Sequence, residues 1–141
     1  MIKIKYNLGC GNKLLDGYVN LDKDDCDLDV FPIVLKDCES ILLDNVLEHV
    51  FNDRKTLIEL RKTLNVNGFI EIYVPFWSSR VEHKRFFHPK GYFNDLCGLG
   101  SKNSIDNIKL FSKSEEYYCR KSIMIYFPFI KKNLYVKLEK R

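Results

Sequence analysis

The feature that most constrains this chain lies at its start. Ile2-Lys3-Ile4-Lys5-Tyr6 alternates apolar and polar residues, continues through Asn7-Leu8 and runs into Gly9-Cys10-Gly11. Alternation with a period of two reads as a strand, and the glycine pair as the turn that ends it. Glycine suits that turn because the backbone bends sharply and a ligand can approach with no Cβ in the way. Eleven residues beyond Gly11, a second apolar stretch, Tyr18 to Leu21, ends on Asp22. The carboxyl ends of adjacent parallel strands share one crevice, so the glycine turn and Asp22 are expected to face one nucleotide, with the carboxylate on the ribose hydroxyls. The dinucleotide fingerprint requires a third glycine where this chain has Leu14, so a pyrophosphate cofactor fits poorly. The competing structural reading is an ordinary β-turn followed by a capping carboxylate.

Further along, Glu39-Ser40-Ile41-Leu42-Leu43-Asp44 carries the continuous apolar run of a buried parallel strand. Asp53 reads as an N-cap, and Arg54 to Leu64 as a helix with Leu57, Ile58, Leu60 and Leu64 on one face. Asn67-Gly68 is expected to end that helix, and Phe69 to Val74 to form the next strand, stopped by Pro75. A strand, a helix and a strand in this order make a βαβ unit and hence a parallel sheet. Asn12 to Gly17 has room for a turn or one to two helical turns. Pro89 to Cys97 reads as a helix, residues 105–126 as one or two strands, and Asn133 to Leu138 as the last strand.

Several of these segments carry a resemblance. Asn7-Leu8-Gly9-Cys10-Gly11-Asn12, Leu21-Asp22, Asp27-Leu28, Asn45-Val46-Leu47-Glu48-His49, Asn67-Gly68 and Val74-Pro75 occur in the order and approximate spacing of class I S-adenosylmethionine-dependent methyltransferases. The segment around Glu48-His49 is similar to the type 11 group. Ser78-Ser79 with His83-Lys84-Arg85-Phe86-Phe87 resembles a stretch of small bacterial and archaeal members. The resemblance covers residues 4–97, with a looser match over Leu134 to Glu139.

What the resemblance implies is an α/β fold: a Rossmann-like, doubly wound, mostly parallel sheet with a C-terminal antiparallel strand pair. That pair would come from Ile108 to Phe111 or Ile123 to Phe127, together with Leu134 to Leu138. One domain spans residues 1–141, with residues 1–79 binding cofactor and residues 80–141 shaping the acceptor pocket. The cofactor implied is S-adenosylmethionine, held by Asn7, Gly9, Cys10 and Gly11 of the turn and by Asp22 on the ribose. Asp27 and Leu28 would meet adenine, and Asn45 would lie beside the methionine part. His83, His88 and Glu48 are the candidate catalytic groups, a histidine near neutral pKa being able to take a proton from the acceptor. Each also has a structural reading: His83 and His88 packed by Trp77, Phe86 and Phe87, and Glu48 ordering its loop. Compared with the family, the chain is a minimal version. The expectation is a version that starts at the first strand without the lid helix and is short between Asp22 and Asp27. The expectation that follows is either a wall borrowed from a second subunit in a homodimer, or a reduced Rossmann-like binding module that acts through a protein partner or as an oligomer with little or no catalysis.

Charge is unevenly divided. Residues 1–79 hold 9 Lys and Arg against 13 Asp and Glu; residues 80–141 hold 14 against 6. A basic acceptor half points to an anionic small molecule or saccharide, while a lysine-rich solvated surface is the plainer reading. Nucleic acid is disfavoured as a partner: no Asn-Pro-Pro-aromatic motif is present, and Val74-Pro75-Phe76-Trp77 does not substitute for it. Ile123 to Ile130, flanked by Arg120-Lys121 and Lys131-Lys132, would suit peripheral contact with an anionic membrane, but a core strand with a pocket wall or dimer contact is the preferred reading. No apolar run approaches the ~18 residues of a membrane span. Five cysteines with no Cys-x-x-Cys pair argue against a disulfide framework and a zinc site, so a cytoplasmic location is expected. The five aspartates from Asp22 to Asp29 are better explained by nucleoside binding than by a metal, although they leave room for Mg²⁺.

Overall fold

The computed structural model describes residues 2–75, 111–118 and 133–140. Strands β1 (Ile4–Leu8), β2 (Val19–Leu21) and β3 (Cys38–Asp44) come first. A 3-10 turn (Leu47–His49) and helix α1 (Asp53–Thr63) precede β4 (Leu64–Pro75), and β5 (Phe111–Tyr118) and β6 (Asn133–Lys140) follow. These strands form one six-stranded mixed sheet in the order β2-β1-β3-β4-β6-β5. The β1–β2, β1–β3 and β3–β4 pairings are parallel, and β6 runs antiparallel to both β4 and β5. The sheet is therefore mostly parallel with a C-terminal antiparallel pair.

Register aligns one apolar row across the sheet. Tyr6 lies beside Ile41 and Ile41 beside Ile70; Leu8 lies beside Leu43, Leu43 beside Ile72 and Ile72 beside Val136. Successive strand residues point to opposite faces, so this row is a single face. Against it α1 sets Asp53, Thr56, Leu57 and Leu60, the i, i+3, i+4, i+7 stripe of an amphipathic helix. Ile58 falls beside that stripe and is half-buried. Burying each Leu or Ile of this core is worth roughly 1.5–3 kcal/mol, so the two apolar periods hold helix and sheet together. The other face of the sheet carries Leu42, Glu71, Tyr73 and Tyr135, a more polar set.

Asn12 to Gly17 forms turns, the first of the two readings left open there. The structure departs from the expected boundaries in three places. The N-cap position of α1 is Asn52, not Asp53, and no side-chain cap bond comes from it. Asn67-Gly68 does not end α1, which stops at Thr63 as the chain turns extended at Leu64. Instead, the pairing of β4 with β3 jumps from Leu64–Cys38 to Phe69–Ser40, so residues 65–68 bulge out of the strand. The left-handed residue there is Asn67, at φ 62°. Gly68 is required by contact: a Cβ would come within 2.9 Å of the Asn65 carbonyl oxygen and 3.1 Å of that of Glu39. Lastly, the partner of β6 begins at Phe111, where the first of the two expected segments ends. The Ile123 to Phe127 alternative and the helix expected at Pro89 to Cys97 lie outside the described residues.

Candidate functional site

The glycine turn is welded to the end of β2. The N–H groups of Gly9 and Cys10 both donate to the Leu21 carbonyl oxygen, at 2.7 and 3.2 Å. That shared acceptor brings the turn next to Asp22. Gly9 is at φ 65°, a region that costs other L-residues about 1–2 kcal/mol. A Cβ there would also lie 2.7 Å from a methyl of Val46, so the loop after β3 closes directly against the turn.

Between these loops opens a cleft of about 660 Å³. Gly9, Asp22, Asp27, Leu28 and Asn45 are among its walls, so five residues singled out in the sequence meet there. Its volume lies within the ~300–1,000 Å³ common to small-molecule sites. Asn7, Cys10 and Gly11 are not among the walls. Asn7 is buried, and its amide donates to the Lys13 carbonyl and to Asn20 Oδ1, both at 2.8 Å, so it braces the loop behind the turn. Glu48 also stays out of the cleft. His83 and His88 lie outside the described residues.

The acidic stretch after β2 is ordered by its own carboxylates. Asp25 accepts the Asp22 N–H at 3.1 Å, and Asp27 accepts the Asp29 N–H at 2.9 Å. Asp29 reaches across to α1, accepting the N–H groups of Phe51 at 2.9 and 3.1 Å and of Asn52 at 3.0 Å. Thr56 Oγ1 donates to the Leu28 carbonyl oxygen at 2.7 Å. Backbone N–H groups at a helix start have no intrahelical acceptor, so a carboxylate there both satisfies them and complements the helix dipole. Three aspartates are thus spent on backbone donors. The Asp22 carboxylate, exposed at the cleft wall, accepts no hydrogen bond from a described residue. Among the described residues no group of three or more His, Cys, Asp or Glu could hold a metal.

Asn45 is at φ 56°, which asparagine tolerates better than most residues. Its N–H donates to the Tyr73 carbonyl at 2.8 Å and its side-chain amide to Asp44 Oδ1 at 2.8 Å, and Lys13 pairs with the other Asp44 oxygen. Behind the cleft, Glu48 is 1% exposed. Burial raises its carboxyl to about 7; its own backbone N–H pulls it down, and Asp44 pushes it up. One carboxyl oxygen has no hydrogen-bond partner. The other lies 4.0 Å from Nε2 of His49, which lines the cleft. Cys26, also a wall, has its thiol pushed up by burial and then by Asp27 and Asp25, which favours the neutral form.

Two cleft features escaped the sequence reading. Phe51, 66% exposed, presents an aromatic ring at the wall, and Asp29 fixes the segment that carries Asp27 and Leu28. The surplus of aspartates before α1 was the available signal for the second. No helix among the described residues is long and apolar enough to cross a membrane. Neither the known protein-family models nor the curated proteins match this chain.

Proposed function

We propose that this chain binds S-adenosylmethionine in the cleft between the Gly9 turn, Asp22 and Asn45, and transfers its methyl group to a small-molecule or saccharide acceptor. The observation that carries the reading is the meeting of Gly9, Asp22, Asp27, Leu28 and Asn45 around one cleft at the carboxyl ends of β1, β2 and β3. In this reading the sheet is the core of a doubly wound, Rossmann-like domain. The residues fit the nucleoside: Asp22 has its carboxylate available for a ribose diol, and Asp27, with one oxygen on the Asp29 N–H, keeps its other for an exocyclic amine. The cofactor would supply a methyl already activated on a sulfonium, which leaves the protein to align the acceptor and exclude water.

Hydroxyl or amine acceptors also need a proton removed. His83, His88 and Glu48 are the proposed proton acceptors, with Glu48 acting from behind His49. The basic balance of residues 80–141 supports an anionic acceptor.

A second reading, a Rossmann-like binding module that works through a protein partner or a second copy, is favoured by the turns at residues 12–17 and by Leu14, which is 70% exposed there. Calorimetric titration with S-adenosylmethionine and S-adenosylhomocysteine separates the two. The methyltransferase reading expects micromolar binding that is lost in Asp22→Ala. A folded wild type that binds neither compound would overturn it in favour of the module.

A further inference from the structure

On the polar face of the sheet, register sets Leu42 of β3 beside Glu71 of β4, and Asp44 beside Tyr73. Lys13 and Tyr18, from the loop between β1 and β2, join them around a second cavity of about 470 Å³. It shares no lining residue with the first cleft: Asp44 lines this cavity and Asn45 lines the first. Its charges are unequal. Lys13 pairs with Asp44, whose other oxygen accepts the Asn45 amide, so that carboxylate is neutralised and occupied. Glu71 accepts a hydrogen bond from the Tyr135 hydroxyl at 3.0 Å through one oxygen, and the second accepts none from a described residue. Lys137, the cross-strand neighbour of Glu71, holds its ammonium 4.3 Å from the centre of the Phe69 ring and is not a wall of the cavity. Among the described walls, two carboxylates and one ammonium therefore leave one net negative charge, located at Glu71. Two of the walls, Tyr18 and Tyr73, are phenol rings, and Tyr73 is packed against Tyr135 with ring centroids 4.8 Å apart.

We propose that this cavity binds a small organic cation, an alkylammonium or quaternary ammonium group, with Glu71 as its counter-ion and the rings of Tyr18 and Tyr73 as its walls. A net negative pocket repels carboxylates and phosphates. An ammonium ion gains both from the carboxylate and from the negative faces of the rings, and part of its hydration can be given up for them. Among the described walls a bare metal ion would find two carboxylates, one of them already engaged. The volume limits the ligand to a small molecule. The inference does not depend on methyl transfer or on the occupant of the first cleft.

The test is calorimetric titration of the full chain with tetramethylammonium and with butylammonium chloride, with sodium acetate as the charge control. Saturable binding of both cations and none of acetate is expected. Glu71→Gln keeps an acceptor for the Tyr135 hydroxyl but removes the charge, and should weaken both cations by about tenfold or more. Lys13→Met frees Asp44 and should tighten them. Tyr18→Leu, at a loop position, should weaken tetramethylammonium and serves as the probe if the Glu71 variant does not fold. S-adenosylhomocysteine titrated into the same variants reads the first cleft separately. No saturable cation binding by the folded wild type, cation binding unchanged in folded Glu71→Gln, or equal binding of acetate would overturn the proposal.

Discussion

The carboxylate of Asp29 accepts the backbone N–H of Phe51 with both oxygens, at 2.9 and 3.1 Å, across 22 residues of sequence. Through this one group the loop that carries Asp27 and Leu28 is tied to the start of α1, and a wall of the cleft becomes part of the helix cap. Asp29→Ala should cost about 1–2 kcal/mol, the upper part of the range for a lost cap, and should weaken nucleoside binding as well. Urea unfolding and a ligand titration on the same sample check both effects. An unchanged unfolding midpoint would refute the capping role.

Phe51 should behave in the opposite way. Its ring is two-thirds solvent-exposed and contributes little to the core, yet it lines the cleft. Phe51→Ala is expected to leave stability within about 0.5 kcal/mol. Affinity for S-adenosylhomocysteine should fall about five- to tenfold if the ring stacks on a ligand. Equal affinity in wild type and variant would remove Phe51 from the site.

Gly9 is held by two separable constraints, its left-handed backbone and its 2.7 Å approach to Val46. Gly9→Ala should lose about 1–2 kcal/mol to the backbone and a further ~1–3 kcal/mol to the clash. Adding Val46→Ala should recover the clash but not the backbone cost, giving a coupling above about 0.5 kcal/mol in a double-mutant cycle. Strict additivity of the two substitutions would show that the contact is not real.

Glu48 makes stability depend on pH. Its carboxyl is raised to about 7 in the fold, against 4.5 as its ordinary value. Below 4.5 both folded and unfolded chains hold the proton, and burial carries no ionic penalty. Between 4.5 and 7 the unfolded chain ionises first, so the fold loses stability as pH rises, and above 7 the loss is complete at about 3 kcal/mol. Glu48→Gln should remove this slope, and its gain over wild type should grow from pH 4.5 to 7 and then level off. Denaturant unfolding across that range would refute the assignment if the two proteins ran parallel.

Much of the framework was legible because it depends on short-range pattern. Alternation from Ile2 to Leu8 marked β1, the apolar run at Ile41 to Leu43 marked β3, and the spacing of Leu57 and Leu60 marked α1. The glycine turn and Asp22 were legible as a pair because both sit at strand ends. The end of α1 was misread because Asn67-Gly68 has the composition of a helix stop. In the fold the same residues make a bulge, and Gly68 answers to the carbonyls of Asn65 and Glu39. Asp53 was read as the cap because caps are usually local, whereas here the capping carboxylate arrives from another loop.

By itself the sequence determined that β1, β3 and α1 exist, that β1 and α1 each have one apolar face, and that the backbone turns at Gly9. These are properties of a few consecutive residues and their steric preferences. Only the tertiary structure decided that Asp29 meets Phe51, that Val46 presses on Gly9, and that Asn7 faces the loop behind the turn while Asp22 faces the cleft. It also decided that Glu48 is buried beside Asp44 and so holds its proton near neutrality. Each of these depends on closing a loop and removing water around a particular pair of groups, and neither the geometry nor the local dielectric is written in the residues on either side.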